Sequence, residues 1–526
     1  MDSEASTVAA EAARRRTFAI ISHPDAGKTT LTEKFLLYAG EVAEAGAVKA
    51  RAGRRTATSD WMAMEQQRGI SIASTVLQFR YSDAVVNLLD TPGHRDFSED
   101  TYRVLAAVDA AVMVLDVAKG IEAQTLKLFE VCRARNLPIL TFLNKYDRPG
   151  KAPLELLDEI EEQISLRPTP MTWPVGDGGD FRGVIDRVAN EFVRFTRSSH
   201  GSTRAAEERL TFEEAATQEG GAWEKAIEEC GLLDAVGATY DQESFLAGET
   251  SPLYVGSAMT NFGVRHLLDA VVNYVPAPTP RLDVEGNERD INAGCSGFVF
   301  KIQANMDPGH RDHVAFVRMC SGRFERGMSV THQPSGKQFS TKHAAAVSGA
   351  DRNTIDEAFP GDVVGLVNAS ELRIGDTMFV GKPVAFPRIP VFAPELFATV
   401  SAKDTGKYKQ YRSGIAQLGR EGVVQILKDP NLESVPIAAA VGQMQFEVLQ
   451  HRMEHEFGAV VHLSYLPYKV ACRTDAETAK ELAAYRSSRV LTRDDGMLLA
   501  LFESEYFLTR LRNDHPEWCL ESVMVD

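Results

Sequence analysis

Over the first 280 residues, short apolar runs of strand length alternate with segments of helical periodicity, and this alternation constrains the fold more than any other feature. Helical spacing of apolar residues follows most of the runs. The apolar runs cover residues 17–22, 85–90, 110–116, 138–144 and 253–256. Buried strands separated by helices predict an α/β fold with a doubly wound, mostly parallel sheet. Ligands of such sheets bind at the carboxyl ends of the strands, where each motif described below lies.

The first polar motif directly follows the first apolar run. A turn between a strand and a helix presents backbone N–H groups to phosphate, and a lysine in it supplies positive charge to the β- and γ-phosphates of a nucleotide. The motif comprises Ser22, His23, Pro24, Asp25, Ala26, Gly27, Lys28 and Thr29. Thr29 would supply a hydroxyl ligand for Mg²⁺. The usual pattern opens with Gly where Ser22 stands, so a glycine turn that only caps a helix is the alternative.

The second motif follows the run at residues 85–90 and consists of Asp90, Thr91, Pro92, Gly93 and His94. An aspartate at this position reaches Mg²⁺ through water, and the N–H of Gly93 can touch a γ-phosphate. A surface turn of Asp-Thr-Pro-Gly composition is the alternative. A helix is predicted over residues 96–107, where Asp96 and Glu99 have the spacing of a capping box.

Two further motifs follow later strands and concern the base of a nucleotide. The third is Asn144, Lys145, Tyr146 and Asp147, and the fourth is the pair Ser257 and Ala258. Asp147 offers two carboxylate oxygens to the N1–H and the exocyclic amine of guanine. Adenine lacks this donor pair, so the motif favours GTP over ATP. The backbone of Ser257 and Ala258 would contact the guanine oxygen. Four motifs in one order, each at a strand end, predict a GTPase.

A long segment rich in Gly, Ala and Arg, residues 39–68, separates the first two motifs and ends near Ser71. Long irregular segments inside compact domains are usually functional, so we interpret it as a switch that γ-phosphate and Mg²⁺ order. Ser71 would be the second hydroxyl on Mg²⁺, with a helix or strand cap as its alternative role. Arg51, Arg54 and Arg55 form a basic cluster that is either a solvated charge run or an RNA contact.

Composition limits the classes of protein that the chain can belong to. With 73 acidic and 57 basic residues, the net charge of −16 argues against a whole-surface grip on nucleic acid. The six cysteines are scattered without a CxxC pair, which fits a reducing, cytoplasmic setting rather than a disulfide or zinc framework. We expect no membrane partner, because the apolar run at residues 110–115 is too short to span a bilayer. Oligomeric state stays open.

Three regions are predicted besides an N-terminal tail. Residues 1–16 are expected to be a flexible tail or a short first helix, and residues 17–280 the nucleotide-binding domain with an insertion at about 165–250. A proline-rich linker then precedes short alternating strands with glycine turns in residues 285–385, which predict a small β-barrel. Residues 388–526 are predicted to form an α+β domain with an amphipathic helix over 442–457.

Basic and aromatic residues cluster at the start of this last region. They are Lys403, Lys407, Tyr408, Lys409, Tyr411, Arg412 and Arg420. Cations interleaved with aromatic rings suit contact with RNA, and scattered surface lysines are the alternative.

The motifs resemble those of the translational GTPases, and most closely those of the peptide chain release factor 3 family. The resemblance rests on Ser-His-Pro-Asp-Ala-Gly-Lys-Thr-Thr at 22–30, Glu-Gln-Gln-Arg-Gly-Ile-Ser at 65–71 and Asp-Thr-Pro-Gly-His at 90–94. It continues through Gln-Ala-Asn-Met-Asp-Pro-Gly-His-Arg-Asp at 303–312 and Val-Gly-Gln-Met-Gln-Phe-Glu-Val-Leu-Gln at 441–450, so it covers nearly the whole chain. Elongation factor G normally carries Thr where Ser71 stands.

The resemblance implies a ribosome-dependent GTPase that promotes departure of class I release factors from the ribosome after peptide release. It implies GTP/GDP and Mg²⁺ as cofactors, with Thr29, Ser71 and Asp90 around the metal, and His94 as the residue that orients the attacking water. Partners would be ribosomal RNA and stalk proteins. Residues 206–250 hold twelve acidic residues against Arg209 and Lys225, which is either a solvated helical face or a docking face for a basic stalk partner.

Two other functions are considered. One is a different ribosomal GTPase of the elongation or ribosome-protection type; we expect translocation to be disfavoured, because elongation factor G carries two further domains. The other is a nucleotide-gated binding protein that rarely hydrolyses GTP, which the presence of His94 after Gly93 disfavours.

Overall fold

The computed structural model of the chain describes residues 2–41, 74–94, 96, 98–196, 203–304, 313–348, 351–367, 369, 371–389, 391–429, 435–485 and 487–523. Ser71 and the interior of the predicted switch segment, with Arg51, Arg54 and Arg55, lie outside these residues.

A seven-stranded sheet forms the centre of the first domain. Its strands are β1 (Arg15–Ser22), β2 (Thr75–Tyr81), β3 (Ala84–Asp90), β4 (Ala110–Asp116), β5 (Ile139–Asn144), β6 (Arg167–Pro170) and β11 (Thr250–Val255). They lie in the order β2-β3-β1-β4-β5-β11-β6, and all neighbours are parallel except β2 with β3. Every residue of β3, β4 and β5 is buried, because both faces of a parallel sheet are covered.

Helices cover the two faces of this sheet. They are α2 (Lys28–Ala39), α3 (Ser98–Leu105), α4 (Ala123–Ala134), α5 (Pro153–Ile164) and α9 (Val264–Tyr274). One hydrophobic cluster contains Leu128 of α4 and Ile160 of α5, and a separate cluster contains Phe35 of α2 and Leu267 of α9. The prediction of a doubly wound α/β fold is therefore confirmed.

An inserted unit lies between β6 and β11. It has a four-stranded antiparallel sheet in the order β10-β9-β8-β7 and three helices. These elements are β7 (Thr172–Val175), β8 (Gly183–Asp186), β9 (Glu191–Thr196), β10 (Ala206–Leu210), α6 (Phe212–Glu219), α7 (Gly221–Ala235) and α8 (Gln242–Leu246).

The N-terminal segment is a helix, α1 (Asp2–Ala13), rather than a flexible tail. Val8 and Ala12 are buried, so the helix packs against the rest of the chain. Its Glu11 carboxylate forms an ion pair of 2.7 Å with Arg15 at the start of β1. Of the two expectations for residues 1–16, the short helix describes the structure, because an apolar stripe and an ion pair hold it in place.

The second region is a β-barrel-like antiparallel unit. Eight strands lie in the order β18-β17-β23-β14-β15-β22-β19-β20. The strands of the region are β12 (Arg281–Leu282), β13 (Glu288–Arg289), β14 (Ser296–Ala304), β15 (His313–Ser321), β16 (Phe324–Glu325), β17 (Ser329–His332), β18 (Gln338–Ser340), β19 (Ala344–Ser348), β20 (Asp351–Thr354), β21 (Glu357–Ala358), β22 (Val363–Val367) and β23 (Thr377–Phe379).

The third region combines an antiparallel sheet with helices, as predicted. The sheet order is β27-β24-β26-β25-β29-β30-β28. The elements are β24 (Leu396–Ala402), α10 (Tyr408–Glu421), β25 (Gln425–Lys428), β26 (Ile437–Ala440), α11 (Gln443–His455), β27 (Val461–Tyr465), β28 (Val470–Thr474), α12 (Ala476–Leu482), β29 (Ser488–Arg493), β30 (Leu498–Phe502) and α13 (Glu505–Asp514).

Buried polar contacts join the first domain to the barrel-like unit. Arg15 Nε donates to the Asp362 carboxylate over 2.9 Å, and both side chains are almost fully buried. Arg318 binds both carboxylate oxygens of Asp109, over 2.9 and 2.7 Å. Hydrogen bonds between charged groups are about twice as strong as those between neutral groups, so these contacts help fix how the two regions dock.

In the part of the chain that the structure describes, every helix falls short of the length and apolarity needed to cross a membrane.

Candidate functional site

The turn between β1 and α2 holds the first predicted motif. Gly27 has a φ of +99° and Asp25 a φ of +65°, so the backbone turns sharply before α2 begins at Lys28. Ala26 is fully buried and Asp25 is exposed at the tip. The first N–H groups of α2 have no partner within the helix, and such a helix start favours an anion.

The side chains at the start of the turn face the protein interior. The Ser22 hydroxyl donates to the His23 carbonyl over 2.9 Å, and His23 is 1% exposed. His23 Nε2 lies 3.1 Å from the Glu122 carboxylate. Burial lowers the pKa of His23, and the neighbouring carboxylate only partly opposes this effect. Ser22 and His23 therefore contribute backbone rather than side chains to the turn.

Lys28 links the first motif to the second. Its ammonium is buried, donates to the Thr91 carbonyl and lies 4.0 Å from an Asp90 carboxylate oxygen. A Cβ placed on Gly93 would lie 3.6 Å from the Lys28 Nζ and 3.6 Å from the Pro24 Cα. The two motifs, more than 60 residues apart in the chain, thus meet face to face at the ends of adjacent strands.

The strand register explains why these motifs meet. Ile20 of β1 is paired with Asp90 of β3, so the residues after both strands emerge at the same edge of the sheet. The Thr91 hydroxyl donates to the Ile20 carbonyl over 2.7 Å, and the Thr101 hydroxyl donates to the Pro92 carbonyl over 3.3 Å. Thr29 is half-buried in the first turn of α2.

Asn144 joins three of the four predicted motifs. Its Nδ2 donates to the Ala26 carbonyl over 2.7 Å, and its Oδ1 accepts the N–H of Ala258 over 2.8 Å. A Cβ on Gly27 would overlap this side-chain amide, so only glycine fits there. Nucleotide binding by Asn144 stays a prediction, and within the described residues its amide clamps the loops that surround the site.

Lys145 and Asp147 have different surroundings at the end of β5. Lys145, with a φ of +67°, pairs over 2.8 Å with Asp116 at the end of β4. Burial of Asp116 opposes ionisation, but hydrogen bonds from Lys145 and the Ala118 N–H outweigh it and hold the pKa of Asp116 below its usual value. Asp147 Oδ1 is buried and accepts no hydrogen bond from any residue in the described ranges.

Two residues of the motifs predicted to bind the base, Tyr146 and Ser257, are buried in the protein interior. Tyr146 is buried, its ring lies 5.2 Å from that of Phe181, and burial raises its pKa well above the usual value. Ser257 is fully buried and exchanges two backbone hydrogen bonds with Phe262, of 2.9 and 3.1 Å. These contacts fix the backbone of the fourth motif beside Asn144.

His94 stands at the mouth of the site, with its side chain 33% exposed. The N–H of Asp96 donates to His94 Nδ1 over 3.3 Å, and an Asp96 carboxylate oxygen lies 3.6 Å from the same nitrogen. The other carboxylate oxygen accepts the N–H of Met444 over 2.7 Å. Asp96 thus connects His94 to the first turn of α11 in the third region.

The capping box predicted from Asp96 and Glu99 does not form in the structure. Helix α3 begins at Ser98, and the Glu99 carboxylate binds Arg103 over 2.5 Å instead of reaching back to residue 96. Asp96 caps α11, because Gly442 before that helix lets the carboxylate approach; a Cβ there would overlap it. Arg103 lies against Gly422, the residue that follows α10.

Sequence reasoning missed two side chains of this region, Glu122 and Asp116, and assigned Asp96 to the wrong helix. Asp116 ends a buried apolar strand, so the strand-end signal used for the other motifs applies to it as well. Glu122 and the role of Asp96 carry no local signal. Ser71, predicted as a metal ligand, lies outside the described residues, so its position relative to Thr29 and Asp90 stays a prediction.

Three known protein families match successive parts of the chain, which correspond to the three regions of the structure. The elongation factor Tu GTP binding domain matches residues 13–277, elongation factor G domain 2 matches 294–381, and the C-terminal domain of class II release factor RF3 matches 386–512. A peptide chain release factor 3 from Gloeobacter violaceus is 49% identical over 521 residues, with 97% of both chains covered. The chain belongs to the peptide chain release factor 3 family.

Other relatives agree with this assignment. A peptide chain release factor 3 from Acaryochloris marina is 48% identical over 99% of this chain and 98% of its own length. A crystal structure of a protein from Thermus thermophilus shares the fold, with a TM-score of 0.70, 23% identity and coverage of 88% of this chain and 70% of that one. The resemblance noted from the motifs is confirmed: this release factor 3 homologue is a GTPase of translation termination that binds guanine nucleotide.

Proposed function

We propose that this protein is a ribosome-dependent GTPase that promotes dissociation of class I release factors from the ribosome after peptide release. Family membership over nearly the full length supports the proposal. The observation that carries it is the convergence of Lys28, Gly93 and Asn144 at one edge of the parallel sheet. A cytoplasmic location belongs to the same proposal.

The nucleotide would lie along this edge of the sheet. Phosphates fit the turn at residues 23–27, where the start of α2 and the Lys28 ammonium provide donors and positive charge. Guanine fits beside Asp147, because its N1–H and exocyclic amine would satisfy the buried Oδ1. Asn144 would hold both ends of the pocket together through its contacts with Ala26 and Ala258.

The residues present also fit Mg²⁺. Hard divalent cations take oxygen ligands, and two are available here: the Thr29 hydroxyl in the first turn of α2, which follows β1, and the Asp90 carboxylate at the end of the adjacent strand β3. Ser71 would complete the protein ligands. When bound, the ion would neutralise charge on the β- and γ-phosphates.

His94 is the proposed catalytic residue, as the group that orients the attacking water. In this structure, Asp96 holds its Nδ1 at the mouth of the site. We infer that binding to ribosomal RNA moves His94 towards the γ-phosphate, so that hydrolysis is slow on the free protein and fast on the ribosome.

The division into domains is part of the proposal. It places an N-terminal segment at residues 1–16, the GTP-binding domain at 17–280 with its insertion at about 165–250, the barrel at 285–385 and the last domain at 388–526. The acidic insertion would dock on a basic stalk protein, and basic surfaces would contact ribosomal RNA.

The experiment follows phosphate release and release-factor dissociation in parallel, with and without ribosomes that carry a class I release factor. We expect ribosomes to stimulate GTP hydrolysis and GTP to accelerate dissociation. Stimulated hydrolysis without accelerated dissociation would favour the second candidate, another ribosome-associated GTPase of the elongation or protection type. Tight GTP binding without stimulated hydrolysis would indicate a nucleotide-gated binding protein instead.

A further inference from the structure

A cleft of about 780 Å³ opens where the three regions meet, and its lining residues are not members of the four nucleotide motifs. Arg103 on α3 lines it from the first domain, and Arg373, between β22 and β23, lines it from the barrel-like unit. Arg412 and Arg420 on α10 line it from the third region. Each region therefore contributes at least one arginine to the same space, which we call the three-domain cleft.

The charges in this cleft do not cancel. Its three acidic residues each form an ion pair with one cation: Glu99 with Arg103 over 2.5 Å, Asp494 with Lys428 over 2.7 Å, and Asp495 with Arg493 over 2.6 Å. These pairs account for three of the six lining cations.

Three arginines are left over: Arg373, Arg412 and Arg420. All three are exposed, and none forms a salt bridge with a residue in the described part of the chain. Arg493 adds a buried Nη1 that has no hydrogen-bond partner among those residues. In a chain of net charge −16, an uncompensated cluster of three cations is a local exception that favours an anionic ligand.

An aromatic ring lies beside these cations. Tyr408 is 48% exposed, and its ring centroid lies 5.8 Å from that of Tyr411, which is buried. Tyr408, Arg412 and Arg420 all lie on α10 and line the same cleft. Arg412 and Arg420 are about 12 Å apart along the helix axis, which is too far for a single phosphate group to bridge.

We propose that the three-domain cleft binds the phosphodiester backbone of a single-stranded segment of RNA. Arginines separated along a helix suit a chain of phosphates, and an exposed ring held by a buried one suits stacking of a base. An acidic peptide would use the cations but not the ring. The inference rests on the proposed function, since work on the ribosome brings the protein into contact with RNA.

The test measures binding of a fluorescent single-stranded oligouridylate to the full-length protein across a range of salt concentrations. The cleft variant combines Arg373→Gln, Arg412→Gln and Arg420→Gln. A matched control combines Arg323→Gln, Arg326→Gln and Arg510→Gln, which are exposed arginines in ion pairs elsewhere and give the same change of net charge. A third protein carries Arg373→Lys, Arg412→Lys and Arg420→Lys and so keeps the positive charge of the cleft.

The slope of log Kobs against log salt is negative. We expect the cleft variant to make it less steep by about 2, since each phosphate contact contributes about 0.7. The control and the lysine protein should keep the wild-type slope. Equal slopes for the cleft variant and the control, or no binding of the oligonucleotide by the wild type, would overturn the proposal. Equal GTP affinity and thermal midpoint in all four proteins would show that they are folded.

A ribosome titration of GTP hydrolysis separates this inference from the proposed function. If ribosomes do not stimulate the wild type, the proposed function fails, whatever the RNA slopes are. If ribosomes stimulate the wild type and the cleft variant needs more ribosomes while its RNA slope is unchanged, the cleft binds a protein and the RNA assignment is wrong. A higher ribosome requirement together with a less steep salt slope in the cleft variant supports the RNA assignment.

Discussion

At the scale of single residues, the site depends on side chains that hold loops as well as on those that would touch the nucleotide. Asn144 is predicted to bind the nucleotide, and its amide also bonds the Ala26 carbonyl and the Ala258 N–H, which lie 118 and 114 residues away in the chain. The motif identifies the residue but not its partners, because partners so distant in sequence depend on the folded sheet. The sequence predicts that Lys28, Asp90 and Gly93 follow strand ends, and the strand register of the structure then brings them together.

His94 tests the proposed chemistry. Because it would orient the attacking water, His94→Ala should lower ribosome-stimulated hydrolysis by about 10²–10⁴-fold and leave GTP affinity unchanged. Phosphate release with and without ribosomes measures the first effect, and equilibrium nucleotide binding measures the second. His343→Ala, at an exposed position in the barrel-like unit, should behave as wild type. Normal turnover in His94→Ala would remove this residue from the mechanism.

Asp147 tests the choice of base. In Asp147→Asn the amide replaces an acceptor with a donor, so GTP affinity should fall by about 100-fold, given about 1.5–3 kcal/mol for a hydrogen bond to a charged group. Xanthosine triphosphate offers a carbonyl where guanine has an amine, and its affinity should rise. Calorimetry with both nucleotides measures the exchange. If the variant keeps its preference for GTP, Asp147 does not contact the base.

At the scale of elements, the strands of the central sheet were predictable and the helix ends were less so. Continuous apolar runs identify β1, β3, β4 and β5, because a parallel sheet covered on both faces demands them. The beginning of α3 was placed two residues early, because Asp96 caps α11 instead of its own helix. The four-stranded sheet of the insertion was not predicted, since its strands are short and half-polar.

The acidic helices of the insertion test the proposed stalk contact. Glu213, Glu224, Glu228 and Glu243 are exposed, so exchanging all four for Lys should disturb no ion pair of the described structure. We expect lower ribosome-stimulated turnover with unchanged GTP affinity, because a basic partner would be repelled. A control with Lys at Glu285, Glu288, Glu481 and Glu503 gives the same charge change elsewhere. If both variants turn over equally, the helices are only a solvated face.

At the scale of the whole molecule, the arrangement of the three regions depends on polar contacts that no local sequence pattern predicts. Arg15 and Asp362 are 347 residues apart in sequence, and Arg318 and Asp109 are 209 apart. Each residue alone resembles an ordinary surface charge in the sequence. Their pairing depends on how the barrel-like unit docks on the sheet, which composition and periodicity do not determine.

Asp362 tests the strength of that docking. Asp362→Ala removes the carboxylate from buried Arg15 and from the Phe359 N–H, so the free energy of unfolding should fall by about 3 kcal/mol. The value is at the low end for a buried pair, because Glu11 still neutralises Arg15. Denaturant unfolding compares it with Asp356→Ala, whose exposed pair with Arg326 should contribute about 0–1 kcal/mol. Equal losses in the two variants would contradict a stabilising role for burial of the Arg15–Asp362 pair.

The contacts between α3 and the third region differ in kind from that interface. Asp96 faces the N-terminus of α11 and Arg103 the C-terminus of α10, so an acid and a base each meet the end of a helix whose partial charge is opposite. One apolar contact accompanies these polar ones, because the ring centroids of Tyr102 on α3 and Phe392 in the third region lie 4.2 Å apart. We therefore expect this joint, made of two helix-end contacts and one ring contact, to open before the paired charges of Arg15 and Asp362 separate when the three regions move apart.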